Sequence, residues 1–255
     1  MIGIFDSGVG GLSVFREIKK TLPDESYIYY SDNANCPYGE KPQEFIIKRA
    51  KEITEFLLSE GAEIIVVACN TATAIAVKTL REDYPAIRFI GMEPAIKPAA
   101  KMTRSGVVGV LATAGTLKSE KYLNHKQKYV DQVTFAEHVG EGFVQLVESG
   151  TVTGPEAEVT VANSVTPLLN AGADVIVLGC THYPFLLDTI HKVASDLYPD
   201  RQIEIIDPAP AIARHLKEVM QEEGLLPRKG NSPASCTTLH SSGDPATLEQ
   251  FFQTI

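Results

Sequence analysis

The run Ile64 to Thr73, IIVVACNTAT, limits the fold of this 255-residue chain more than any other stretch. Its β-branched start is too short for a buried helix and reads as an interior strand of a parallel sheet, apolar on both faces. The run stops abruptly at Cys69, Asn70 and Thr71, and Ala72 to Arg81 carries a helical pattern. A thiol, an amide and a hydroxyl therefore stand where the carboxyl end of a strand meets the amino end of a helix. Open α/β sheets bind ligands along that edge, and helix amino ends attract anions and lower thiol pKa values.

A second stretch repeats the pattern. Val175 to Tyr183, VIVLGCTHY, is again strand-like and ends in Cys180, followed by Thr181 and His182. Each cysteine has an upstream companion: Ile2 to Ser13 (IGIFDSGVGGLS) and Val107 to Ser119 (VVGVLATAGTLKS) both read as strand, small polar loop and helix start. The spacing is similar too, with 63 positions from Asp6 to Cys69 and 67 from Thr113 to Cys180. Two related α/β halves are expected, each offering one cysteine to a shared cleft.

The remaining strand signals are Tyr27–Tyr30, Phe89–Met92 and Ile203–Ile206. Helical patterns cover Leu12–Lys20, Glu44–Leu58, Lys118–Tyr129, Pro155–Ala171, Phe185–Leu197 and Ala209–Glu222, with a shorter one at Gly142–Glu148 whose Phe143, Leu146 and Val147 point inward. Gly61 reads as a C-cap. Thr113 and Thr116 flank Gly115 in a loop, and residues 224–237, with Pro227 and Pro233, read as a loop before a short strand and helix. Strands alternating with helices imply mainly parallel sheets covered on both faces, in two pseudo-symmetric three-layer domains with the site in the cleft between them. Glu93-Pro94 and Lys97-Pro98 mark a crossing, and Asp207-Pro208 a return. The expected domains are therefore 1–93 with 207–255, and 94–206.

Composition narrows the function. With 32 acidic against 23 basic side chains, the net charge is −9, which argues against a nucleic-acid surface. No apolar run is long enough to span a bilayer, and the start, MIGIFDSG, is not a signal peptide. A cytoplasmic location follows, where Cys36, Cys69, Cys180 and Cys236 stay reduced. No pair has CxxC spacing, so neither a structural zinc site nor a redox pair is indicated. Gly8 and Gly10 match part of a dinucleotide fingerprint, but Ser13 replaces its third glycine, and a lone glycine loop is a weak signal.

Free cysteines are usually inert core residues, a reading that suits Cys36 and Cys236. It suits Cys69 and Cys180 less, because each sits at the polar end of a strand. Two thiols facing one planar intermediate suggest proton removal from one face and return to the other, inverting a carbon centre. Each sulfur then needs a group to manage its proton: Asp6 beside Cys69, His182 beside Cys180. Ser7, Asn70, Thr71, Thr113, Thr116 and Thr181 offer donors to a polar, zwitterionic ligand, although an N-cap role serves any single Ser or Thr equally well. The turn-rich loop Asn33–Gly39 is either a surface connection or a lid carrying Tyr38 and backbone amides to the cleft.

The segments FDSGVGG (Phe5–Gly11), PYG (Pro37–Gly39), ACNTA (Ala68–Ala72) and GCTHYP (Gly179–Pro184), with the looser TAGT (Thr113–Thr116), span nearly the whole chain. In this set and order the sequence resembles the glutamate racemases of the cofactor-independent aspartate/glutamate racemase superfamily. The resemblance implies interconversion of L- and D-glutamate without cofactor or metal, supplying D-glutamate for peptidoglycan, commonly in a homodimer. It implies that Cys69 acts on D-glutamate and Cys180 on L-glutamate, assisted by Asp6 and His182. It also brings in Glu148, which the residue pattern alone reads as a solvated helix charge. Substrate contacts would fall on Ser7, Tyr38, Gly39, Asn70, Thr71, Thr113, Thr116 and Thr181. The competing readings are an aspartate racemase, a thiol redox protein and a non-catalytic binding module. Missing CxxC spacing counts against the second, and strand-end thiols against the third.

Overall fold

The computed structural model describes residues 1–226 and 236–255. The elements run β1 (Ile2–Asp6), α1 (Leu12–Thr21), β2 (Tyr27–Ser31), α2 (Gln43–Ser59), β3 (Ile64–Val67), α3 (Asn70–Asp83) and β4 (Arg88–Gly91). They continue α4 (Ile96–Met102), β5 (Val107–Ala112), α5 (Ala114–Leu117), α6 (Glu120–Gln127), β6 (Thr134–Val139), α7 (Phe143–Glu148), α8 (Pro155–Asn170), β7 (Val175–Gly179) and α9 (Leu187–Leu197). β8 (Glu204–Ile206), α10 (Ala209–Glu222), β9 (Thr237–Ser241) and α11 (Pro245–Phe252) complete the chain. Short 3-10 turns form at Asn33–Asn35, Tyr38–Glu40 and Tyr183–Leu186. The expected Pro227 and Pro233 loop lies outside the described residues. Among the described residues, no helix is long and apolar enough to cross a membrane.

The chain divides into two compact units, 1–92 with 209–255, and 93–208. In the first, the strand order is β4-β3-β1-β2-β9, every neighbour parallel. In the second it is β6-β5-β7-β8, again all parallel. Read from the other edge, the second sheet is β8-β7-β5-β6. Its strands follow the same fourth-third-first-second order as the first sheet, which adds β9 at its edge. The two related halves read from the cysteine motifs are thus one topology used twice.

The burial patterns follow from that topology. β1, β3 and β7 are buried at every residue, as interior strands of helix-covered parallel sheets are. α2 lays Ile46, Ala50, Ile53 and Leu57 against Phe5, Ile65 and Val67 in the first core, a stripe at helical spacing. Gly61, at φ +92°, ends α2 in the left-handed conformation while the amides of Gly61 and Ala62 return to the carbonyls of Leu58 and Leu57. The second core gathers Val108, Val110, Val175 and Val177 with Ile96, Ala99 and Tyr122.

Two expectations need correction, and one strand has no counterpart among the sequence signals. Lys97-Pro98, read as punctuation, lies in the first turns of α4, where a proline sacrifices no hydrogen bond that the helix would otherwise make. The Thr113–Thr116 loop contains the short helix α5. β6 carries no such signal: its sequence TFAEHV sits at a sheet edge, only partly buried, and includes Glu137 and His138, so it lacks the apolar run that marks its neighbours.

Candidate active site

In the first unit the residues of interest lie at the carboxyl ends of the parallel strands. Asp6 closes β1 and Ser7 follows it, Asp32 follows β2, and Cys69 follows β3 by two positions. Asp6 is fully buried, and its Oδ2 accepts the amides of Gly8 at 3.3 Å and Gly11 at 2.8 Å. The glycines thus bend the loop back onto the carboxylate. A Cβ at Gly11 would stand 2.6 Å from both the Asp6 Cβ and the Tyr29 hydroxyl, so only glycine fits.

Cys69 is the N-cap of α3. Its Sγ accepts the Ala72 amide at 3.4 Å, and its thiol donates to Ser7 Oγ at 3.7 Å. A helix amide aimed at the sulfur stabilises a thiolate there when the proton leaves. Asn70 and Thr71, both buried, open the helix. Asn70 Oδ1 has no hydrogen-bond partner among the described residues, a costly state for a buried amide oxygen unless a ligand completes it. Thr73 in the next turn donates to the Val67 carbonyl and accepts the Met92 amide, tying α3 to the end of β4.

Tyr38 and Gly39 lie in the 3-10 turn Tyr38–Glu40. Tyr38 is buried and its hydroxyl donates to Asp32 Oδ2 at 2.6 Å. Burial first, and then the Asp32 carboxylate, hold that hydroxyl protonated far above the usual tyrosine range. The lid reading is corrected to this extent: the phenol is an internal anchor, and the turn's backbone is what remains to meet a ligand.

In the second unit, Thr113 follows β5 and caps α5, accepting the Thr116 amide at 3.2 Å and donating to Thr116 Oγ1 at 3.0 Å. Its capping role is therefore real, and Thr116 is buried beside it. Cys180 follows β7 directly, with buried Thr181 and His182 after it. Cys180 Sγ lies 3.8 Å from His182 Nδ1, and His182 Nε2 lies 2.7 Å from Glu148 Oε1 at the end of α7. With its Nε2 proton held by the carboxylate, the imidazole presents Nδ1 as an acceptor toward the thiol. Thiol, imidazole and carboxylate then form the nucleophile–base–orienter series used to ionise cysteines. Tyr183 packs beneath, its hydroxyl donating to the Gly140 carbonyl at 3.4 Å. Burial, and after it the electrostatic interaction with neighbouring Cys180, raise its pKa well above the ordinary value.

Glu148 is the largest departure from the residue pattern. Its side chain is only 20% exposed, and its partner lies 34 positions away, so no local signal marks it. Cys236 departs from the core reading in the other direction. It is exposed, and its carbonyl accepts the Tyr27 amide at the amino end of β2, the sheet edge opposite the one that carries Cys69. Cys36 is half-buried. Arg49 binds Asp32 from 17 positions away, so no local signal marks it, whereas Asn35, three positions from Asp32, reads only as one of several turn residues.

Comparison with known proteins identifies the family. The pattern of the Asp/Glu/Hydantoin racemase family matches residues 2–216. A glutamate racemase of Ectopseudomonas mendocina is 46% identical over 243 residues, covering 95% of this chain and 89% of its own. A glutamate racemase isoform of Bacillus anthracis superposes with a TM-score of 0.85 at 31% identity, over 100% of this chain and 92% of that one. An Escherichia coli glutamate racemase, solved with L-glutamate and the activator UDP-MurNAc-ala, gives 0.83 at 32% identity over 99% and 94%. Its strand-end cysteines, its doubled topology and these likenesses together make this chain a member of the Asp/Glu/Hydantoin racemase family.

Proposed function

We propose that this protein is a glutamate racemase, interconverting L- and D-glutamate by proton exchange at Cα and supplying D-glutamate for peptidoglycan. The observation that carries the reading is the pair of strand-end cysteines, each served by its own proton partners: Ser7 and the α3 amide for Cys69, His182 and Glu148 for Cys180. In the direction assigned to Cys180, His182 Nδ1 accepts the thiol proton. The thiolate then takes the Cα proton of L-glutamate, and the Cys69 thiol returns a proton to the opposite face. The reverse reaction exchanges the roles, with Asp6 assisting Cys69.

Asn70 Oδ1, buried and lacking a partner among the described residues, suits the ammonium group of an amino acid. Ser7, Thr71, Thr113, Thr116 and Thr181, with the backbone of Tyr38 and Gly39, supply the donors that its two carboxylates require. Glutamate is favoured over aspartate by the 46% identity to a glutamate racemase and by the L-glutamate named for the E. coli relative. A homodimer and a cytoplasmic location accompany the reading, the former checked by light scattering of the purified protein.

The test is incubation with L-glutamate in deuterium oxide without added cofactor. Optical activity should decay to zero, and the D-product should carry deuterium at Cα. Persistent optical activity in a folded sample, or turnover of aspartate alone, overturns the proposal.

A further inference from the structure

We propose that Arg49, on α2, is a positioning residue of the glutamate site, acting through Asp32 on the Tyr38–Gly39 turn. The inference rests on the reading of that turn as part of the glutamate site. Asp32 is fully buried just beyond β2, and an isolated buried carboxylate is costly. Arg49 meets it with both arms of its guanidinium, Nη2 to Oδ1 at 2.7 Å and Nε to Oδ2 at 3.0 Å. This is the planar, bidentate match that lysine cannot reproduce. Tyr38 donates to Oδ2 at 2.6 Å and Asn35 to Oδ1 at 3.0 Å, so one carboxylate gathers both 3-10 turns of the loop. The Asp32 amide in turn donates to the Asp6 carbonyl at 2.9 Å, joining this cluster to the end of β1.

The series therefore runs from a helix on the outside of the sheet, through one anion, to the backbone proposed to hold substrate. The charged or titratable groups around Asp32 are Arg49 and its α2 partner Glu52, Tyr38, Cys69 near the Tyr38 ring, and Asp6. Burial alone would raise the Asp32 pKa. Hydrogen bonds from Arg49, Tyr38, Ser242 and Asn35 outweigh it and hold the carboxyl below its ordinary range. Without Arg49 the burial effect gains ground, Asp32 takes up a proton at higher pH, and the Tyr38 hydroxyl loses its anionic acceptor.

The experiment measures racemisation in both directions across pH for Arg49→Met, Arg49→Lys and Tyr38→Phe, with thermal unfolding of each. Arg49→Met should raise KM for both enantiomers by about tenfold while kcat changes by less than about threefold, the pattern of lost uniform binding. The acid limb of its kcat/KM profile should move to higher pH. Arg49→Lys should restore part of the KM. Tyr38→Phe should raise KM and move the acid limb the same way but by less than Arg49→Met does, since it removes one of the hydrogen bonds to Asp32 and leaves the guanidinium in place. Asp32→Asn added to Arg49→Met should abolish the displaced acid limb. If Arg49→Met does not fold, Arg49→Lys and Tyr38→Phe decide the matter through the same KM and pH readouts. A folded Arg49→Met with native KM and an unmoved acid limb overturns the inference, as does a fall in kcat alone. A wild-type protein that leaves glutamate untouched overturns the racemase reading instead, so the two failures are distinct.

Discussion

Glu148→Gln isolates the contribution of one carboxylate to the Cys180 half-site. The substitution preserves size and removes the charge that faces His182 Nε2 at 2.7 Å, where the imidazole is 2% exposed and the carboxylate 20%. A hydrogen bond to a charged group in such surroundings contributes about 1.5–3 kcal/mol, or about 10- to 150-fold in the step that charges the ring. The amide oxygen can still accept from Nε2, but it carries no charge to stabilise the ring once His182 has taken the Cys180 proton. Polarimetry in both directions with Cα-deuterated glutamate is the assay. Enantiomers have equal free energy, so kcat/KM must fall by the same factor from either side. The primary isotope effect should diverge: it grows when the starting enantiomer is the one that Cys180 deprotonates, and shrinks for the other. Isotope effects that change equally in both directions, or rates within about threefold of the native enzyme, refute the relay.

Other outcomes follow from the same geometry. Cys69→Ala and Cys180→Ala should each abolish racemisation, while Cys236→Ala, altering an exposed thiol at the opposite sheet edge, should be kinetically silent in the same assay. Gly11→Ala forces a methyl group to within 2.6 Å of the Asp6 Cβ and the Tyr29 hydroxyl. It should cost about 1–3 kcal/mol by denaturant unfolding and lower activity, and native behaviour in both would show that the loop yields. Because the native Asp32 pKa lies below its ordinary value, the stability it contributes is present above about pH 4 and lost as pH falls through the native value. Asp32→Asn should therefore flatten the decline of unfolding free energy below pH 4, and an unchanged slope would contradict the ionised, buried carboxylate.

The parts of the fold legible in the sequence are those in which one strand carries its own signal. β1, β3, β5 and β7 are apolar runs because helices cover both of their faces, and each breaks into polar residues where the chain emerges at the sheet edge. β6 was opaque because an edge strand needs only partial burial. α4 was opaque because Pro98 resembles a stop signal when its place in the first turns is unknown. The same distinction governs the site. Cys69, Cys180 and His182 announce themselves by standing beside such breaks, whereas Glu148 and Arg49 acquire their meaning from partners 34 and 17 positions away. Local chemistry thus pointed to the sulfurs, while the groups that orient and charge their surroundings required the tertiary arrangement.

The pairing of β9 with β2 has a consequence for how the chain is born. Residues 93–208 form a contiguous unit and can close as they leave the ribosome, since domains generally fold as units during synthesis. The other unit waits: the edge of its sheet at Tyr27–Ser31 is completed only by Thr237–Ser241, some two hundred residues later. α10, which packs on α1, also arrives from the far end of the chain. Until β9 has emerged, the nascent sheet has an open flank at β2, the position at which a holding chaperone or a neighbouring nascent chain would first engage it.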